Sequence, residues 1–294
     1  MRSLLLVLTF CSLSLNAATT LETRVHSLDF GDTQADAVLA LLANGQVARI
    51  NTSEVTLLEK LQHAQTLGQT LKLSLNDKNE ITSLKPIFQI QLITKSSVEN
   101  KMMFQDFIPS VLGSYEQARN LFLEMRKSPV QESQCWQRAH VWSYEWRMKH
   151  DLFTSKAWIF FTRKYLRENP DFGWWFHVAP MVHVNMDGVI KERVMDRKHA
   201  NGPQMIKRWT DTFIRDRSVC RVVDTYSDHA NFQDSASCFL QKSSMYFLQP
   251  VDLELFEKFA TPRSSWVEPE LVDAYDKAFL IKSETAAATT GEVK

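Results

Sequence analysis

The stretch from 174 to 196, WWFHVAPMVHVNMDGVIKERVMD, constrains the fold most. WWFHVAPMVHV (174–184) is nearly all apolar, with aromatic and β-branched residues, and reads as a buried strand. Asn-Met-Asp-Gly (185–188) has turn chemistry, and VIKERVMD (189–196) returns as a second strand. If the loop has four residues, closed by Val184 and Val189, then His177 lies directly opposite Asp196. Side chains paired in that way have Cβ atoms roughly 5 Å apart. A carboxylate there can accept the imidazole N–H and fix its tautomer. A slip of one residue would send the two side chains to different faces.

Other segments fill in around this hairpin. AVLALLANGQVARI (37–50) predicts two strands about an Asn-Gly turn. SEVTLLEKLQHAQTLG (53–68) predicts a helix capped by Ser53 and stopped at Gly68. TLKLSLNDKNEITSLKPI (70–87) is a second hairpin, and the polar TKSSVENK (94–101) suits a linker or cleavage region. SYEQARNLFLEM (114–125) opens with a capping box, Ser114 and Gln117, and places Ala118, Leu121, Phe122 and Met125 on one face. A further helix follows Ser133, its expected cap, with Cys135, Ala139, Trp142 and Trp146 sharing an inward face. AWIFFTR (157–163) reads as a buried strand, 204–216 as a helix after Gly202-Pro203, and 251–260 and 269–281 as closing helices. The tail KSETAAATTGEVK has the composition of a disordered segment.

The N-terminus has the pattern of a signal peptide: Arg2, the apolar LLLVLTF (4–10), and small residues at Ala17 and Ala18. The apolar run is too short for a membrane span, and Phe10 before Cys11 does not fit a lipid-attachment site. A secreted or periplasmic protein without a membrane anchor is expected. The balanced charge, 34 basic against 34 acidic residues, and the lack of a basic run argue against nucleic-acid binding. Export would remove Cys11 and leave Cys135, Cys220 and Cys238. Cys220 and Cys238 are close enough in sequence for a disulfide, which leaves Cys135 as the odd thiol. The alternative is three buried, reduced cysteines.

A cysteine in the first turn of a helix meets the positive end of the helix dipole, which favours the thiolate, and unpaired N–H groups that can hold an oxyanion. It still needs a base, and the base an orienting group. His177 and Asp196 supply both. From these residues alone, Cys135 could equally be a packing thiol and His177 a strand histidine. His183 and His140 compete as base, though neither has a carboxylate opposite in the expected pairing. A metal site lacks CxxC or HxxxH spacing.

Taken together, CWQRAH (135–140), WFHVAPMV (175–182), VMD (194–196), Gly202-Pro203 and Trp209 follow one order and spacing. That order resembles the bacterial protein-glutaminase family, secreted enzymes that deamidate glutamine side chains in proteins. FIPSVLGSYEQARNLF resembles the helix that opens the family's mature enzyme. The chain departs from the family at Arg197-Lys198, where Pro-Ser is usual, and it can form fewer disulfides.

The resemblance implies an α+β protein: a transglutaminase-like, papain-related core whose antiparallel sheet packs on the nucleophile's helix, preceded by a small α+β N-terminal domain. The implied division is a signal peptide (1–17), a pro-region-like or accessory domain (18–98), a catalytic domain (99–282) and a tail (283–294). It implies a triad of Cys135, His177 and Asp196, with Trp136, Arg138, His140, Trp175, Val178 and Ala179 as supporting or substrate-binding residues. Expected partners are glutamine-containing proteins or peptides and, within the chain, the N-terminal domain. No cofactor or metal is expected. A transglutaminase, a cysteine peptidase or a non-catalytic binding module are the alternatives.

Overall fold

Thr-Leu-Lys-Leu-Ser-Leu sends every second side chain to one face, and in the computed structural model β4 (Thr70–Leu75) buries Leu71, Leu73 and Leu75. The structure describes residues 19–31, 36–87, 107–130, 134–215, 219–231, 236–259 and 268–281. The expected signal peptide, linker (94–101), tail (283–294) and Ser133 lie outside these residues.

β4 belongs to an antiparallel sheet of order β3-β2-β1-β4-β5. Its other strands are β1 (Thr19–Asp29), β2 (Ala37–Leu42), β3 (Val47–Asn51) and β5 (Ile81–Ile87). The Asn44-Gly45 turn joins β2 to β3, with Gly45 at φ +89°, a conformation that favours glycine. Helix α1 (Val55–Thr66) buries Leu61 and Ala64 in this unit's core. Gly68 ends it at φ +59°, as expected. Ser53 is not its cap. Glu54 takes that position without a side-chain bond, while Asn51 Oδ1 accepts from both the N–H and the hydroxyl of Ser53. The Asn51 turn therefore uses the hydroxyl that a cap would need.

The second sheet has the order β10-β11-β7-β8-β6, with β9 paired to β8. Its strands are β6 (Val111–Leu112), β7 (Ser155–Phe161), β8 (Phe176–Met186), β9 (Val189–Val194), β10 (Arg221–Val223) and β11 (Cys238–Ser244). Every residue of β7 is buried: the apolar run 157–161 reads so from the sequence, while Ser155 and Lys156 are buried with it. Helices α2 (Tyr115–Glu124), α3 (Cys135–His150), α4 (Arg163–Glu168), α5 (Ile206–Thr210), α6 (Tyr226–Asn231), α7 (Pro250–Phe259) and α8 (Glu268–Phe279) complete the described elements. Ser114 Oγ caps α2 by accepting from Gln117 N, and Gln117 Oε1 accepts from Gly113 N at 2.7 Å. The helix expected over 204–216 is only the short α5 followed by turns. The polar stretch between Cys220 and Cys238 contains β10 and α6 and is closed by a Cys220–Cys238 disulfide.

Helix α3 is more enclosed than its sequence suggests. Beyond Cys135, Ala139, Trp142 and Trp146, it also buries Gln137, Arg138, His140 and Glu145. It packs against β8 and α8, so it lies inside the protein. The cap position belongs to Gln134, whose side chain makes no capping bond.

The β8–β9 hairpin closes differently from expectation. Met186 pairs with Val189 across a two-residue Asp187-Gly188 turn, both at positive φ. The four-residue loop closed by Val184 and Val189 is therefore incorrect by two positions. His183, not His177, has a carboxylate directly opposite: it pairs with Glu192. The ladder stops where Pro180 accepts from Met195 N at 2.8 Å and has no N–H to return. Beyond that point the chain leaves the strand, and Asp196 is its next residue.

Candidate active site

Asp196 departs from the sheet but still reaches His177. Pairing counted along the hairpin would set Asp196 opposite Ala179, with His177 two residues farther along the same face. Diagonal neighbours lie within reach of long side chains. His177 Nε2 and Asp196 Oδ2 are 2.7 Å apart, and both residues are buried. Trp209 Nε1 donates to the same Oδ2 at 3.0 Å, and the Lys198 N–H reaches Oδ1 at 3.3 Å. The aspartate is thus oriented by three donors.

Cys135 lies close enough to His177 to act on the imidazole and raise its pKa. With Nε2 engaged by Asp196, Nδ1 is the nitrogen left for the thiol. Cys135 is the first residue of α3, buried, and a free cysteine. Burial alone would lower the His177 pKa, but Asp196, by its charge and its bond, and Cys135 raise it to about 9. Burial pushes Asp196 up, but the charge and bond of His177, with His199 and Arg138, hold it well below the usual carboxylate range. A thiol, an imidazole biased toward its cation and a fixed carboxylate can perform nucleophilic and general acid–base chemistry.

The other residues singled out in the sequence divide into groups. Arg138 is buried, and the charges of Cys135 and Asp196 act on it. Trp136, Val178 and Ala179 pack in the core that contains Cys135. His140 is fully buried beside Lys156 and does not join the His177–Asp196 pair. His183 lies 3.7 Å from Glu192, which Lys242 also binds. Trp175 is engaged by the N-terminal sheet: its Nε1 donates to Leu42 O at 2.6 Å, and its ring stacks on His26 at 4.5 Å.

The contact with that sheet is extensive. The Asn44-Gly45 turn forms an antiparallel bridge to the start of β8 through Gln46 and Trp174. Val47 N donates to Gly173 O and Trp175 N to Gly45 O, both at 2.9 Å. Leu39, Leu41 and Val47 share one hydrophobic core with Cys135, Trp136 and Phe176. Asp29 of β1 forms ion pairs with Arg163 and Arg167 of α4.

Sequence reasoning assigned no role to Trp209, although its position within the ordered motifs was a signal. Phe213 had none, yet its ring lies 4.5 Å from His177. His199 packs edge-on to His177 at 5.1 Å. His177, Asp196 and His199 offer ligand atoms within 4.8 Å of one another. Two of these three are already joined by a short hydrogen bond, and proton retention by His177 opposes ligation, so this set fits a catalytic pair better than a metal.

The fold and this site together define an α+β protein with a buried cysteine–histidine–aspartate set. Residues 116–213 match a family model described as glutaminase. The chain is similar to the crystal structure of a pro-protein-glutaminase, with a TM-score of 0.52 and 15% identity, covering 87% of this chain and 90% of that one. A mutant of pro-protein-glutaminase gives a TM-score of 0.51 at 14% identity, covering 88% of this chain and 93% of that one. No curated protein matches the chain. The glutaminase family model thus covers the stretch that contains Cys135, His177, Asp196 and Trp209, and the fold is shared with pro-protein-glutaminase. Among the described residues no helix is long and apolar enough to cross a membrane.

Proposed function

We propose that this chain is an exported protein-glutamine deamidase that hydrolyses the side-chain carboxamide of glutamine in proteins or peptides. The observation that carries the reading is the buried His177, held at 2.7 Å by Asp196 and near enough to Cys135 to feel it electrostatically. The Cys135 thiolate attacks the carboxamide carbon, and the C=O electrons move to oxygen. First-turn amides of α3, left without a side-chain cap by Gln134, stabilise that oxyanion. Protonated His177 gives its proton to the departing nitrogen, the C–N bond breaks, and ammonia leaves a thioester. His177 then takes a proton from water, whose oxygen attacks the thioester; glutamate and the thiolate are released. Asp196 holds the imidazole and stabilises its cation throughout.

In this reading the catalytic domain (99–282) has a transglutaminase-like, papain-related core, and residues 1–17 are a cleaved leader. The N-terminal unit (18–98) is an intramolecular inhibitor, removed by proteolysis near 94–101. Its support is the Asn44-Gly45 turn seated at the start of β8 and the shared core around Cys135.

The test incubates protein freed of the N-terminal unit with a denatured glutamine-rich protein, with and without a primary amine. Ammonia release without new peptide termini or amine incorporation is expected, and Cys135→Ser and His177→Ala abolish it. New termini would make the protein a peptidase, and amine incorporation a transglutaminase. Inactivity indifferent to Cys135→Ala would leave a binding module. Loss of activity in His183→Ala or His140→Ala, but not in His177→Ala, would overturn the choice of base.

A further inference from the structure

The first turn of α3 has little of its own to hold it. Gln134 gives it no side-chain cap, and its opening backbone bond, from Arg138 N to Gln134 O, is long at 3.4 Å. The unpaired amides at a helix N-terminus are placed only as firmly as that turn is. Here the turn carries Cys135, Trp136 and Gln137. Gln137 is 1% exposed, and its Nε2 donates to Asp273 Oδ2 of α8 at 2.9 Å. An ionised carboxylate only accepts, so the amide must turn its nitrogen toward Asp273. Among the described residues Gln137 Oε1 has no hydrogen-bond partner, so the bond to Asp273 is what orients this side chain.

Packing keeps α8 against the same helix. Ala274, Tyr275, Ala278 and Phe279 are buried in one core with Val141, Trp142 and Trp146 of α3. The Tyr275 hydroxyl donates to Glu145 Oε1 at 3.2 Å, farther along α3, and Ala278 O accepts from Ser128 Oγ at 2.7 Å. Asp273 itself is exposed, so it can be replaced without opening that core. The glutaminase family model ends at residue 213, and α8 lies beyond the matched stretch.

We propose that Asp273 is a positioning residue: by tethering Gln137 it fixes the first turn of α3, and with it Cys135 and the amides that receive the oxyanion. The consequence for turnover rests on the deamidase reading, but the tether does not. A nucleophile or oxyanion donor displaced by a fraction of its contact distance loses rate at the chemical step, while substrate binding is kept.

Amide hydrogen exchange on the full chain tests the tether first. Asp273→Ala removes the acceptor, and Asp273→Asn leaves an acceptor oxygen in its place. Exchange at Arg138 and Ala139 is expected to rise about tenfold in Asp273→Ala, as for the loss of one hydrogen bond to a charged group, and to stay near wild type in Asp273→Asn. Lys277→Ala, an exposed change on the same helix, should leave it unaltered. Unchanged exchange in a folded Asp273→Ala variant would overturn the proposal. If that variant does not fold, Gln137→Leu breaks the same bond from the other end, and its exchange at Ala139 decides. Ammonia release is then followed after protease treatment of the full chain. The kcat of Asp273→Ala is expected to fall about tenfold at unchanged KM, and Asp273→Asn to recover most of it. Faster exchange with an unchanged kcat would also overturn the proposal, making Asp273 a structural residue. A wild-type chain that never releases ammonia removes the deamidase reading, and exchange alone then decides whether Asp273 positions the turn.

Discussion

His177 and Asp196 are joined at 2.7 Å although they do not face each other across the hairpin. Pro180 ends the ladder, and the freed chain brings Asp196 diagonally onto the imidazole. The arrangement makes both residues conditional on each other's charge.

The pH dependence of this pair has a definite sign. The raised His177 contributes stability that is complete below its ordinary value of 6.5 and is lost as pH rises through about 9. The depressed Asp196 contributes stability present above its ordinary value of 3.8 and lost as pH falls through its lower folded value. Thermal melts across pH should show both losses, and Asp196→Asn should remove them. In protein freed of the N-terminal unit, that variant should lose about 10²–10⁴-fold in kcat/KM. Its alkaline limb should move to lower pH, because the anion that raises His177 is gone.

Trp209 should act through Asp196. Trp209→Phe keeps an aromatic ring but removes the Nε1–H bond to Oδ2. A stability loss of about 1.5–3 kcal/mol is expected for one hydrogen bond to a charged acceptor. The kcat/KM should fall by about tenfold, a change of ~1.4 kcal/mol. Denaturant melts and initial rates check the two parts separately.

The Cys220–Cys238 bridge encloses a sequence separation of 18 residues. By loop closure, its loss should cost about 3 kcal/mol. Replacing both cysteines by alanine should lower the melting temperature in the oxidised protein. The double variant should make stability indifferent to added reductant, which thermal melts with and without dithiothreitol would show.

The N-terminal unit should be loosened by one residue at its turn. A Cβ on Gly45 would stand 3.2 Å from the Phe176 ring at a φ of +89°. Gly45→Val should therefore raise the rate at which a small alkylating reagent reaches Cys135. Acid should act in the same direction. Burial lowers His26 to about 4 while it stacks on Trp175 and shares a 2.7 Å bond with the Tyr226 hydroxyl. A neutral buried histidine gives stability that is full above 6.5 and is lost as pH falls through about 4. His26→Gln should shift acid-induced exposure of Cys135 to lower pH; an unchanged alkylation profile would separate His26 from the release.

Much of the local structure was legible because it depends on neighbours in sequence. The Asn44-Gly45 turn, the capped start of α2 and the buried run of β7 each follow from a few adjacent residues. The same information misplaced the β8–β9 pairing by two positions. A side-chain period of two kept His177 and Asp196 on one face, so the pair remained within reach despite the error. It also hid the carboxylate opposite His183.

Local pattern and motif order thus pointed to β2 to β5, β7 to β9 and most helices, and singled out His177 and Asp196, which lie 2.7 Å apart; they gave no sign of β1, β6, β10 or β11. Tertiary structure alone decided what surrounds them. Burial of the first three turns of α3, the Trp209 bond to Asp196, the Lys156 contact with His140 and the Asn44-Gly45 turn against β8 join residues far apart in the chain. Periodicity reports which side of an element is apolar; it carries no information about which distant segment will cover that side.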